Sequence, residues 1–119
     1  EQRLEFLYLE GKGYLFLDID KLDEVLVSVD IVGDKANYLK EGIQIKAIFY
    51  GATIFSIELP QFLELMIVKL EDIRSKVSVS PVSKIAILET GAKVEVPLFI
   101  EVGDIIKVDT HLGEYVQRI

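Results

Sequence analysis

A chain of 119 residues with no cysteine, one histidine and a formal net charge of −7 is excluded from several classes at once. It has no disulfide framework, thiolate nucleophile or zinc–thiolate site. It has no run near the ~18 apolar residues that span a bilayer, and no basic surplus to drive non-specific binding to nucleic acid, DNA included.

The chain divides at Pro60, and both parts read as short strands. Arg3 to Leu9 and Tyr14 to Ile19 flank Glu10-Gly11-Lys12-Gly13, a hairpin turn, and Val25 to Val29 follows as a third strand. From Val32 to Lys40 the apolar spacing becomes helical, with Asp30 placed to cap the start and Gly42 the end. Ile43 to Tyr50 and Thr53 to Leu59 form a second hairpin around Gly51-Ala52. Three strands, a short helix and two strands is the order of an OB-fold, a small Greek-key barrel. After Pro60 come Phe62 to Leu70, Val77 to Leu88 in pieces, Lys93 to Ile100, Ile105 to Asp109 and Glu114 to Arg118, with no helix among them. Gly42-Ile43-Gln44-Ile45-Lys46 and Gly103-Asp104-Ile105-Ile106-Lys107 share the pattern Gly-x-x-Ile-Lys, 61 residues apart. The expected fold is all-β: two small OB-fold barrels in tandem, residues 1–60 and 61–119, with one short helix in the first. A unit of about 60 residues buries only ~60% of its unfolded surface, so each is marginal alone.

Catalytic chemistry has little to stand on. The one histidine, His111, lies in a turn and lacks the nucleophile and orienting partner that a general base requires. Asp18, Asp20, Asp23 and Glu24 lack the spacing of a calcium loop and read as a solvated strand end. Gly11-Lys12-Gly13 is too short for a phosphate loop and precedes a strand. Tyr8, Tyr14, Phe16, Phe49, Tyr50, Phe55, Phe62 and Phe99 sit beside aliphatic residues on alternating strands and read as core, whereas Tyr115, near Arg118 in the last strand, is a candidate for stacking. Residues 74–84, with Arg74, Lys76 and Lys84 and no acid among them, form a basic stretch that reads equally as a solvated loop or an RNA contact.

The segments Val96-Pro97-Leu98-Phe99-Ile100, Gly103-Asp104-Ile105-Ile106-Lys107-Val108-Asp109-Thr110 and Gly113-Glu114-Tyr115 resemble the C-terminal domain of bacterial translation elongation factor P. Phe6-Leu7-Tyr8, Gly13-Tyr14-Leu15-Phe16-Leu17-Asp18, Tyr38-Leu39-Lys40-Glu41-Gly42 and Ser56-Ile57-Glu58-Leu59-Pro60 resemble its middle domain. The resemblance implies a cytoplasmic, monomeric, tRNA-shaped factor of three β-barrels, without cofactor, metal or enzymatic activity. Such a factor binds the ribosome between the peptidyl and exit sites, beside peptidyl-tRNA, and promotes peptide-bond formation at stalling sequences such as consecutive prolines. On this reading the chain, which starts at Glu1, is the middle and C-terminal part of a longer protein, and the domain with the family's loop lysine lies outside it. The resemblance also assigns ribosome or tRNA contact to Tyr115 and Arg118. These are three residues apart, so a flat strand would turn them to opposite faces.

The chain departs from the family pattern in two places. Its Gly-Asp-Thr loop motif falls on Lys76-Val77-Ser78, and an arginine common at position 111 is His111. An unperturbed histidine is mostly neutral near pH 7, which weakens a phosphate contact there. An elongation-factor-P-like paralogue, and a protein-interaction module that binds no RNA, are the alternative readings.

Overall fold

Two-residue turns shape the first sheet. The computed structural model describes residues 2–71 and 83–119. Strands β1 (Gln2–Glu10) and β2 (Gly13–Asp18) are antiparallel, with Glu10 opposite Gly13, so only Gly11 and Lys12 form the turn. Gly11 adopts φ +58° there, a left-handed conformation that suits the twist of a tight hairpin and costs glycine nothing. Strands β4 (Gln44–Tyr50) and β5 (Thr53–Glu58) are joined in the same way through Gly51-Ala52. With β3 (Asp23–Ser28) beside β2, the antiparallel order is β3-β2-β1-β4-β5.

The helical segment lies earlier than its spacing predicts. Helix α1 covers only Val29–Val32; Ser28, not Asp30, caps it, its Oγ accepting from the Ile31 N–H at 3.4 Å. Gly33 then takes φ +54° and stops the α-helical ladder, and the chain tightens into a 3₁₀ helix, Gly33–Tyr38. The apolar spacing was still informative, because Val32 and Leu39 are buried and Ile31 and Ala36 pack on the same core. Lys35 ties this connection to β5 through a 2.6 Å hydrogen bond from Nζ to the Ile57 carbonyl.

The core of this unit holds Leu4, Phe6, Phe16, Val27, Ile45 and Ile57, with the rings of Phe6 and Phe16 tilted 60° at 5.4 Å. The aromatic positions divide between core and surface. Tyr8, Tyr50, Phe55, Phe62 and Phe99 are exposed, which corrects their reading as core, and Phe55 reaches 72% exposure. Alternation tells which residues share a face of a strand, but not which face the rest of the fold covers.

The second sheet is built from β6 (Phe62–Glu71), β7 (Ser83–Leu88), β8 (Lys93–Pro97), β9 (Ile105–Asp109) and β10 (Glu114–Arg118). Its antiparallel order, β10-β9-β6-β7-β8, is the first sheet's order again, and the edge strands β8 and β10 approach each other, nearly closing a barrel. Strand β8 ends at Pro97, short of the predicted Ile100, because the chain turns at Leu98 and Phe99. The expected strand from Val77 begins within the described residues at Ser83.

Residues Glu1–Pro60 and Gln61–Ile119 form two compact units. The 61-residue echo is structural. In the first, the Phe6 N–H donates to the Ile43 carbonyl at 2.8 Å and the Gly42 N–H to the Phe6 carbonyl at 2.9 Å. In the second, the Ile67 N–H donates to the Asp104 carbonyl at 2.9 Å and the Gly103 N–H to the Ile67 carbonyl at 2.8 Å. Gly42 and Gly103 take φ +92° and +94°. A β-bulge follows Phe6 in β1 and Ile67 in β6.

A second recurrence joins unlike places. Asp18 and Asp109 are both buried at a strand end. Oδ1 of Asp18 accepts from the N–H groups of Asp20 and Lys21 at 3.0 and 3.1 Å. Oδ1 of Asp109 accepts from those of His111 and Leu112 at 2.9 and 3.0 Å. Each turn closes with an N–H four residues on, Leu22 or Gly113, donating to the aspartate's own carbonyl at 2.7 or 2.8 Å.

Candidate functional site

The last strand carries the two residues singled out by the sequence, and its pairing settles how they face. Tyr115 lies opposite Val108, and Arg118 opposite Ile106, two positions along β9. The spacing shortens from three residues to two because a bulge between Tyr115 and Gln117 takes Val116 out of the ladder. Tyr115 and Arg118 therefore share a face. Sequence period alone cannot reveal this, since a bulge is a feature of pairing and not of alternation.

Arg118 is held from two sides. Its Nη1 lies 4.0 Å from Oδ2 of Asp104, and its guanidinium carbon sits 5.4 Å from the centre of the Phe99 ring. The Arg118 side chain remains 52% exposed and Phe99 59%. Asp104 is itself fixed, because its Oδ2 accepts from the Glu101 N–H at 2.8 Å while its own N–H donates to the Glu101 carbonyl at 3.1 Å. Phe99 is the residue sequence reasoning missed; the turn at Leu98 and Phe99, directly after Pro97, was the available signal.

Beside them, Tyr115 lines a cleft of about 420 Å³ with Ser83, Glu95, Val96, Pro97, Gly113 and Glu114, between β8 and β10 where the barrel does not close. On its β8 side the Ser83 hydroxyl, from β7, donates a hydrogen bond to the Glu95 carboxylate. The site is thus aromatic surface with one tethered cation among carboxylates.

The other candidates fall elsewhere. Lys84 is half-buried in β7, opposite Val96 and on the core-facing side with Ala86 and Leu88; it belongs to a strand and not to a basic loop. Arg74 and Lys76 lie outside the described residues. His111 is exposed in the β9–β10 turn, where its backbone N–H supports Asp109.

Burial works to raise the Asp109 carboxyl's pKa, but the donors of Leu112, Gln61 and His111 and the charge of the His111 imidazole outweigh it. The carboxyl is held below the usual carboxylate range. Gln61 reaches Asp109 Oδ2 from Nε2 at 3.2 Å, tying the start of β6 to the turn that presents β10. Among the described residues no group of side chains suits a metal ion, and no helix is long and apolar enough to cross a membrane.

Two family models match the chain. The elongation factor P OB domain matches residues 1–57, and the elongation factor P C-terminal domain matches residues 63–118. The chain is 63% identical over 119 residues to elongation factor P 1 of Protochlamydia amoebophila, covering all of this chain and 64% of that protein. It is 47% identical over 118 residues to elongation factor P 1 of Chlamydia trachomatis, 99% of this chain and 64% of the relative. It is 43% identical over 118 residues to elongation factor P of Coprothermobacter proteolyticus, 99% of this chain and 63% of the relative. The chain therefore spans a little under two thirds of the length of these relatives. On matches that run through both of its folded units, this chain belongs to the elongation factor P family.

Proposed function

We propose that this chain is the ribosome-docking part of a translation factor, and that the face of Tyr115 and Arg118 makes contact with ribosomal or transfer RNA. The observation that carries the reading is the bulge at Val116, which turns the two side chains to one side. Arg118, resting on Phe99 and steadied by Asp104, offers guanidinium donors to a phosphate without first having to be ordered. The acidic balance suits a shape mimic that docks through a few placed contacts. The family reading gives the whole factor its place: between the peptidyl and exit sites, beside peptidyl-tRNA, aiding peptide-bond formation at consecutive prolines and catalysing no reaction of its own.

Ribosome co-sedimentation of a full-length factor carrying these residues tests the reading. Arg118→Ala is expected to weaken binding by on the order of 1.5–3 kcal/mol, the value of a hydrogen bond to a charged group. Its melting temperature should hardly move, since an exposed ion pair contributes only about 0–1 kcal/mol. Binding equal to the parent across a range of salt would remove the last strand from the docking surface.

A further inference from the structure

The end of the first unit that bears the β2–β3 and β4–β5 turns has features that its own packing does not require. A concavity of about 520 Å³ lies there, lined by Asp18, Lys21, Asp23 and Glu24 around the β2–β3 turn and by Phe49, Gly51 and Ala52 of the β4–β5 hairpin. In each turn the residue beside the lining positions is apolar and bare: Leu22 is 75% exposed and Tyr50 84%. Leu22 is also strained, held at φ +59° where the turn built in the same way on Asp109 uses Gly113. The Leu22 backbone closes the turn, but its side chain is exposed and held at a φ that glycine adopts more cheaply, and with Tyr50 exposed beside the same concavity this points to contact with something else. Around Leu22 stand the exposed Asp20, Asp23 and Glu24, against Lys21 and Arg3. Asp18 is buried on its own backbone donors and Arg3 is bridged to Asp20 at 3.4 Å, so Asp23 and Glu24 are the carboxylates turned to a partner.

We propose that this barrel end docks a lysine- or arginine-bearing protein segment that also carries an apolar side chain. The apolar group seats between Leu22 and Tyr50, and the basic groups meet the carboxylates. Charge complementarity selects this occupant. A nucleic acid would bring phosphates against the carboxylates, and a purely apolar segment would desolvate them without supplying a partner. The site is built from residues of the first unit alone, and the proposal stands or falls without Tyr115 and Arg118.

The test is an amide-resolved titration of the ¹⁵N-labelled chain with a short synthetic peptide repeating lysine, leucine and serine. Saturable shifts are expected in Asp18 to Val25 and Phe49 to Thr53. Leu22→Gly and Tyr50→Ala should each weaken binding by about fivefold or more, roughly 1 kcal/mol, with the remaining spectrum intact. Val102→Ala, at an exposed apolar residue of the second unit, should leave the affinity unchanged. Unchanged affinity in either Leu22→Gly or Tyr50→Ala overturns the proposal. So do shifts scattered over the surface, or equal shifts with a glutamate-for-lysine peptide or a uridine oligonucleotide.

Discussion

Leu22 is the one non-glycine residue at positive φ among those described. The left-handed conformation costs an L-residue roughly 1–2 kcal/mol, while glycine's extra freedom in the unfolded chain takes back roughly 0.4–1 kcal/mol. Leu22→Gly should therefore raise stability in urea unfolding by about 0.5 kcal/mol, and Gly113→Leu should lower it. The other turn responds to pH. Because the Asp109 pKa is depressed in the folded state, its contribution is present above the unfolded carboxylate pKa and is lost as pH falls through the folded one. Asp109→Asn should be less stable than the parent at neutral pH, and the gap should narrow on acidification; a gap constant with pH in unfolding titrations would contradict this. The turn at His111 was legible in the sequence, but the buried aspartate that anchors each of the two turns was not. Asp18 reads as one of several solvated acids, and only the fold shows it buried under its own backbone donors.

At the scale of an element, the last strand depends on one looped-out residue. Inserting an alanine between Gln117 and Arg118 should turn Arg118 away from Phe99 and Asp104, since a one-residue slip reverses every side chain beyond it. Deleting Val116 should leave Tyr115 and Arg118 two apart and on one face. Ribosome binding of the full-length factor is expected to fall with the insertion to the level of Arg118→Ala, and to survive the deletion better. The strands themselves were visible in their period-two runs and glycine turns. The helix was displaced because apolar spacing fixed its buried face, whereas Ser28 and Gly33 set its limits through capping. The exposed aromatics were hidden because the choice between two faces belongs to the neighbouring elements.

For the whole molecule, the repeat at 61 residues was written in the sequence as Gly-x-x-Ile-Lys, and its extent came from the matching hydrogen bonds and bulges. Each unit has its own buried residues, so residues 1–60 and 61–119 expressed separately should each unfold cooperatively, with stabilities of about 3–9 kcal/mol. Loss of a cooperative urea transition in either piece would show that its core is insufficient alone. The repeat has a practical consequence. Gly42→Ala and Gly103→Ala are the same injury dealt to one architecture in two sequence contexts, both at φ above +90° with open space where the new methyl group would sit. Any difference between them in unfolding measures what the surrounding side chains tolerate, with backbone geometry held constant. In either variant the untouched barrel serves as a reference that shares the solution, the temperature and the polypeptide.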